Sequence, residues 1–380
     1  MVARRKIGLI YSYDENWIGG AYYIQNLVIA FKKLDDPQRP FIVLFSEPLQ
    51  YEKFKEATAY PYIIHASEYE PPFTFLDRAI NKISRLILNR PVIDKKKFVL
   101  DAIFPVFDEG GQIHPGTVNL YWIPDFQEHY LPAFFSQEEI DRRINIQKGI
   151  SARKGAKLLL SSQSAFNDYR KFYPGALTGA YVVPFAVSHP PYEKIDIETV
   201  RNKYHIPAKY FISANQFWAH KNHLVILEAV KLLKSEGTEV FFIFTGKQHD
   251  WRNPAYFGEL ERYVNDNCIS DNILFLGLID RLDQLQLLKN AEAVIQPSRF
   301  EGWSTVIEDA KAMNQFVIAS DIPVHREQLQ ENGAFFDPDN ARELADHLKW
   351  IHTNRPAIVP TAYSEAVLEY AQNFLKIFEN

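Results

Sequence analysis

The residues best placed to do chemistry lie in PSRFEGWSTVIEDAKA, Pro297 to Ala312. Glu301 precedes the turn Gly302–Trp303–Ser304, and Glu308 and Asp309 follow Thr305 on helix-like sequence. An apolar run, AEAVIQ, leads into it as a buried strand would. The first amides of a helix have no intrahelical partner and sit at the positive end of its dipole, so such a turn binds anions without a basic side chain. Carboxylates on both sides of it can accept hydrogen bonds from hydroxyls. A ligand with a diphosphate in the middle and hydroxyls on either side answers both features, and a nucleoside-diphosphate sugar is such a ligand. The spacing of Thr305 and Glu308 is that of a capping box, which starts the helix near Thr305 and occupies Glu308 with the cap.

Two further groups stand where strands end. Gly19 and Gly20 in NWIGGAYYIQNL follow the strand-like KIGLIYS. Paired glycines let backbone approach a phosphate, although no GxGxxG occurs in the chain. Asp125, Gln127, Glu128 and His129 cluster after VNLYWIP. His129 reads either as a sugar contact or as a buried structural histidine. His220 and His223 read as loop and cap residues, and Asp337–Pro338–Asp339, the sole acid pair of DxD form, as a structural turn.

These positions require a frame. Short apolar runs alternate with helical patterns: KIGLIYS, FIVLFS, YIIHAS, AIFPVF, VNLYWIP, AKLLLSS and AYVVPFAV, then YFISAN, VFFIFTG, NILFLG, AEAVIQ and FVIASD. Ile24, Leu27, Val28 and Phe31 recur at helical spacing after the first. Such alternation implies parallel sheets covered on both faces. The polar, proline-bearing stretch SHPPYEKIDIE interrupts it once. The prediction is two Rossmann-like domains, 1–190 and 191–360, whose strand ends face each other across a cleft. An amphipathic helix over 361–380 is expected to return to the first domain. GAFFDPDNARELA reads as a polar turn before a helix.

The 380 residues carry a formal net charge of −5, which argues against a nucleic-acid partner. One cysteine, Cys268, excludes an internal disulfide and fits a reducing compartment. With neither a signal-peptide pattern nor an apolar run long enough to span a bilayer, the sequence reads as cytoplasmic. Residues 71–97 place Phe75, Leu76, Ala79, Ile80, Ile83 and Ile87 on one stripe with Arg78, Lys82, Arg85, Arg90 and Lys95, Lys96 and Lys97 around it. This is either a surface helix covering the sheet or a membrane-surface or acceptor-binding element at the inner membrane face.

PSRFEGWSTVIEDAKA resembles the acidic motif of retaining glycosyltransferases of family 4, which have the GT-B fold. That pattern is Glu, seven residues, then Glu. Glu301 matches the first acid, and an ungapped count puts Asp309 in the second, ribose-binding slot, with Glu308 the alternative. SANQFWAHKNHLVILEA resembles the family's diphosphate loop, where Lys221 matches the lysine but Gln216 stands in the arginine slot. Lys247 in FTGKQHD is a solvated lysine or the replacement charge, and ILFLGLIDR resembles the base-binding turn, at Leu278 and Ile279. The glycine pair and the 125–129 cluster resemble the family's first loop and its sugar-contacting stretch. The resemblance implies transfer of a sugar from a nucleotide-diphosphate donor to a saccharide or lipid-linked acceptor, with retention and without a metal or other cofactor. A GT-B epimerase or hydrolase, or a nucleotide-sugar-binding subunit without activity, stands as the alternative.

Overall fold

A computed structural model of the chain describes residues 4–15, 17–69, 75–88, 92, 100–107 and 117–379. Residues 71–74, 89–91 and 93–97 of the 71–97 element lie outside the described residues.

Every apolar run named above is a strand. The first sheet contains β1 (Lys6–Ile10), β2 (Phe41–Phe45), β3 (Ile63–His65), β4 (Ala102–Val106), β5 (Val118–Trp122), β6 (Lys157–Leu160) and β7 (Gly179–Val182). Its order is β3-β2-β1-β4-β5-β6-β7, and all pairs are parallel. The second contains β8 (Phe211–Ser213), β9 (Phe242–Thr245), β10 (Ile273–Gly277), β11 (Val294–Gln296), β12 (Val317–Ser320) and β13 (Gly333–Phe336). Its order is β10-β9-β8-β11-β12-β13, again all parallel. These are the two Rossmann-like domains the alternation predicts. β13 is the exception: it falls in GAFF, inside the segment read as a turn. It is a four-residue edge strand that opens with Gly333 and Ala334, weak strand formers, and runs straight into the turn-forming Asp337–Pro338–Asp339–Asn340, so the polar flank hides it.

Burial explains why these runs are apolar throughout. Phe211, Phe242, Ile295 and Ile318 belong to one core cluster, and their neighbours Ile212, Ile243, Val294 and Val317 to another. Successive strand residues point to opposite faces, and both faces are covered by helices. In the first domain, Leu27 and Phe31 of the Ile18–Phe31 helix join Ile7, Leu9 and Leu120 in one core. The C-terminal helix Tyr363–Lys376 adds Val367, Tyr370 and Phe374 to that same core. The Tyr370 hydroxyl donates to the Tyr23 carbonyl at 3.1 Å. The last helix therefore returns across the second domain to the first.

Each strand order reverses once, at β1/β4 in the first sheet and at β8/β11 in the second. Loops at such a switch point diverge and leave a crevice beyond the carboxyl ends of the strands.

Candidate functional site

The crevice is a cleft of about 480 Å³ between the two domains, large enough for a nucleotide-sized ligand. Its walls are the loops after β1, β5, β8, β9, β10 and β11.

The β11 loop and the helix Thr305–Ala312 form its floor. Ser304 is the helix N-cap, its hydroxyl accepting from the Ile307 amide at 3.4 Å. This corrects the capping-box reading. Thr305 is the first helical residue, so the residue three beyond the true cap is Ile307, and Glu308 does not cap. Glu308 is buried and braces the helix instead: it accepts from Gln328 Nε2 and Lys311 Nζ, each at 2.9 Å, and from the Tyr363 hydroxyl. It does not line the cleft.

Glu301, Gly302, Trp303, Ser304, Thr305 and Asp309 all line it. One Glu301 oxygen, Oε1, accepts from Lys221 Nζ at 2.6 Å, Ser298 Oγ at 2.7 Å and Gln296 Nε2 at 2.8 Å. Gln296 and Ser298 are buried, and Asn215 Nδ2 holds the Gln296 side chain at 2.9 Å. The carboxylate is thus fixed by one oxygen. Its setting combines one cation with two neutral donors, a strong arrangement in a partly desolvated site. Glycine is required nearby: at Gly246, after β9, φ is +141° and an added Cβ would overlap the Asn215 carbonyl.

The helix Ile18–Phe31 brings its own N-terminus from the opposite domain. A Cβ added at Gly19 would lie 3.9 Å from Thr305 Oγ1, so two helix starts meet across the cleft. Gly20 packs against the Trp17 ring, where a side chain would overlap it. Trp17, Trp122 and Tyr23 pack ring against ring, tilted, with centroids 5.4 and 4.6 Å apart, to make an aromatic wall. Gln216 donates to the Glu15 carbonyl at 2.6 Å, and Lys247 Nζ lies 3.8 Å from the Glu15 carboxylate. Leu278 and Ile279 line the cleft beside them, as do Asp125 and Gln127.

Two of the cluster after β5 go elsewhere. His129 stacks flat on Phe172, with ring centroids 3.9 Å apart, and does not line the cleft. Glu128 is buried, accepts from Gln147 Nε2 at 2.6 Å, and pairs with Arg143. The reason is helical geometry. Residues 127–130 form one helical turn, and each step rotates the side chain by about 100°. Gln127 faces the cleft, so its two successors do not.

The sequence reading missed Arg281 and His189. Arg281 Nη2 donates to both Asp309 oxygens, at 2.6 and 2.7 Å, and its guanidinium stands 5.2 Å over the Tyr22 ring. His189 Nε2 reaches Asp309 Oδ1 at 2.9 Å. Burial opposes ionisation of Asp309, but Arg281 and the His189 hydrogen bond outweigh it and hold the carboxyl below its usual range. His220, assigned to a loop, also lines the cleft. Its burial, with Lys221 and Arg252 nearby, pushes its pKa well below the usual imidazole value, so it is neutral at pH 7. The arrangement can receive an anion between two helix starts, beside one lysine, and hydroxyls at Glu301.

Among the described residues, no three His, Cys, Asp or Glu side chains cluster as metal ligands would. Asp337 and Asp339 are exposed, away from the cleft, with Asp339 paired to Arg299.

Comparison with known proteins agrees with this layout. Residues 196–372 match the family described as glycosyl transferases group 1. The O-antigen chain mannosyltransferase RfbU of Salmonella typhimurium is 29% identical over 149 residues, 39% of this chain and 40% of that protein. The capsular polysaccharide biosynthesis glycosyltransferase CapH of Staphylococcus aureus is 27% identical over 155 residues, 40% of this chain and 41% of that protein. The chain thus spans about two fifths of the length of these relatives. Among solved structures, Anabaena HepE in complex with UDP and glucose superposes over 100% of both chains with a TM-score of 0.64 at 16% identity. A glycosyltransferase from Rickettsia africae covers 99% of this chain and 98% of its own, with a TM-score of 0.63 at 17% identity. The fold is GT-B.

Proposed function

We propose that the protein transfers a sugar from a nucleoside-diphosphate donor to an acceptor hydroxyl with retention of configuration, in polysaccharide or glycoconjugate synthesis. The observation that carries this reading is the meeting of the Lys221–Glu301 pair with the Ser304–Thr305 helix start. Residues 191–360 act as the donor domain and 1–190, with 361–380, as the acceptor domain. Leu278 and Ile279 present backbone to the base. The diphosphate lies against the amides at Thr305 and the Gly19–Gly20 backbone, with Lys221 alongside. Glu301, anchored through Oε1, turns its other oxygen to sugar hydroxyls. As the bond from the anomeric carbon to the phosphate oxygen breaks, negative charge grows on the β-phosphate. The helix dipole and Lys221 stabilise that charge. The acceptor oxygen bonds to the anomeric carbon on the face the phosphate leaves, and its proton passes to that phosphate. The acceptor is a saccharide or lipid-linked saccharide at the cytoplasmic face of a membrane.

Calorimetry with UDP, GDP, ADP and dTDP tests the donor site. At least one binds, and Lys221→Ala weakens it by about 1.5–3 kcal/mol, the range for a charged hydrogen bond. Equal affinity of wild type and variant for every nucleotide removes Lys221 from the site. The same reading requires no divalent cation. Transfer with the preferred donor is expected to persist in excess EDTA; loss on chelation, with recovery on adding magnesium or manganese, assigns the leaving-group charge to a metal instead.

A further inference from the structure

Among the described residues, the lysines and arginines that line the cleft are Lys221, Lys247 and Arg281. Each is paired with a carboxylate: Lys221 with Glu301 at 2.6 Å, Lys247 with Glu15 at 3.8 Å and Arg281 with Asp309 at 2.6 Å. What remains after pairing is largest at Arg281, because a guanidinium carries five N–H donors in a planar fork. Nη2 donates to both Asp309 oxygens and Nη1 to Gln284 Oε1 at 2.8 Å. The Nε–H and one Nη1–H meet no acceptor among the described residues. Asp309 is 1% exposed and is also held by His189, so the guanidinium is fixed in place before a ligand arrives. Its position is informative. Arg281 opens the helix Arg281–Asn290, two residues after Ile279. It stands over Tyr22, three residues beyond Gly19, and binds Asp309, four beyond Thr305. Both offsets are about one helical turn. Arg281 therefore bridges, one turn behind their starts, the two helices that face each other at Gly19 and Thr305. Gln216, by contrast, is neutral and has given its amide to the Glu15 carbonyl.

We propose that Arg281 is a phosphate ligand of the donor site and takes the phosphate nearer the nucleoside, while Lys221 takes the terminal one. The inference rests on the donor reading given above. Leu278 and Ile279, set against the base in that reading, lie just before Arg281 on the loop after β10. Lys221 lies at Glu301, where the sugar is placed. A diphosphate between base and sugar then meets Arg281 from the nucleoside side and Lys221 from the sugar side. The helix starts offer amides to any anion. The guanidinium adds directed donors to one phosphate, and its pairing lowers the conformational cost of using them. Because the Arg281–Asp309 pair is neutral overall, the contribution is that of aimed N–H bonds more than of net charge. Asp309 then supports nucleotide binding by holding Arg281 in position.

The test compares a nucleoside, its monophosphate and its diphosphate on the full chain. The base is whichever of uridine, guanosine, adenosine and thymidine wild type binds as the diphosphate. Calorimetry serves for the phosphates and an NMR shift titration for the weaker nucleoside. Arg281→Gln leaves Asp309 without its counter-charge and should melt lower. Arg281→Lys keeps that charge, draws its single ammonium to Asp309, and should melt close to wild type, so it carries the test. It should weaken the monophosphate and the diphosphate alike, by about tenfold, and leave the nucleoside unchanged. Lys221→Ala should weaken the diphosphate and spare the monophosphate. Unchanged monophosphate affinity in Arg281→Lys overturns the proposal. So does a nucleoside affinity that falls in step with the monophosphate, which would make Arg281 a support of the base loop. In both cases the donor reading stands, because wild type still binds the diphosphate. Wild type that binds none of the diphosphates overturns the donor reading and this inference with it.

Discussion

Gly302→Ala is expected to lower kcat/KM by about 100-fold or more while leaving the fold nearly as stable as wild type. Gly302 belongs to the β11 loop of the second domain, but the space its missing side chain leaves is filled by the first. An added Cβ would overlap the Pro124 carbonyl oxygen and come within 3.1 Å of Asp125 Cβ. A backbone carbonyl cannot rotate away as a side chain can. The methyl must therefore push the domains apart, at the point where Glu301 and the Ser304–Thr305 helix start face the Gly19 loop. Displacement of reacting groups by about 1 Å can cost about 100-fold in rate. Neither core is touched, so the melting temperature should barely move. Nucleotide affinity should fall less than turnover, because Lys221 and the helix start lie within one domain. Gly258→Ala is the control. It has nothing within 4 Å of an added Cβ and sits in the helix Tyr256–Asp266, so it should be silent or stabilise by about 0.5–1 kcal/mol. Normal turnover in Gly302→Ala would mean the interdomain contact yields without consequence.

What the sequence made legible and what it did not follows from how far apart the cooperating groups lie. Strands of the parallel sheets are written as apolar runs, so twelve could be read directly; β13 is only Gly-Ala-Phe-Phe, set against a polar turn, and is too short to stand out. The glycine turn and its acids are local, and their spacing alone placed Glu301 and Ser304 at one helix start. Arg281 and His189 are different. They stand 28 and 120 residues from the Asp309 they bind: Arg281 reaches it because two helices of the second domain, Arg281–Asn290 and Thr305–Ala312, pack together, and His189 because the stretch between the domains runs past the same helix. A signal existed for Arg281, a cation directly after the loop at the end of β10. His189 lies in the proline-bearing stretch between the domains, where no local pattern marks it. Glu128 and His129 follow Gln127 on one helical turn, where each step rotates the side chain by about 100°, so residues clustered in sequence do not share the cleft face; of the two readings open for His129, the stacking on Phe172 fits the structural one.

The pairing of Asp309 changes what the two neighbouring acids should do when neutralised. From sequence, Glu308→Gln should be almost silent and Asp309→Asn should weaken donor binding without affecting the fold. The structure predicts a cost to stability at both positions, larger at Asp309. Asn there removes the anion from a carboxylate held by Arg281 and His189, leaving a partly buried guanidinium without its counter-charge. Breaking such a pair from one side costs about 3–5 kcal/mol when fully buried. Arg281 is 26% exposed, which favours the lower end. Glu308→Gln keeps an acceptor for the Tyr363 hydroxyl or Gln328 but loses the charge facing Lys311, for about 1–2 kcal/mol. Donor affinity separates the two further: Asp309 lines the cleft and Glu308 does not, so only Asp309→Asn should weaken nucleotide binding, by about 1–3 kcal/mol. The pH dependence supplies the sign. The Asp309 carboxyl titrates below its ordinary value in the folded chain. Its stabilisation is fully present above the unfolded pKa of about 4 and is lost as pH falls through the lower folded value. Urea melts should therefore show wild type well above Asp309→Asn at pH 7, with the gap closing in acid. Equal stability at pH 7 would mean Arg281 and His189 do not hold the carboxylate in solution. Loss of nucleotide binding in Glu308→Gln but not in Asp309→Asn would make Glu308 the ribose ligand and reverse the assignment of the two acids.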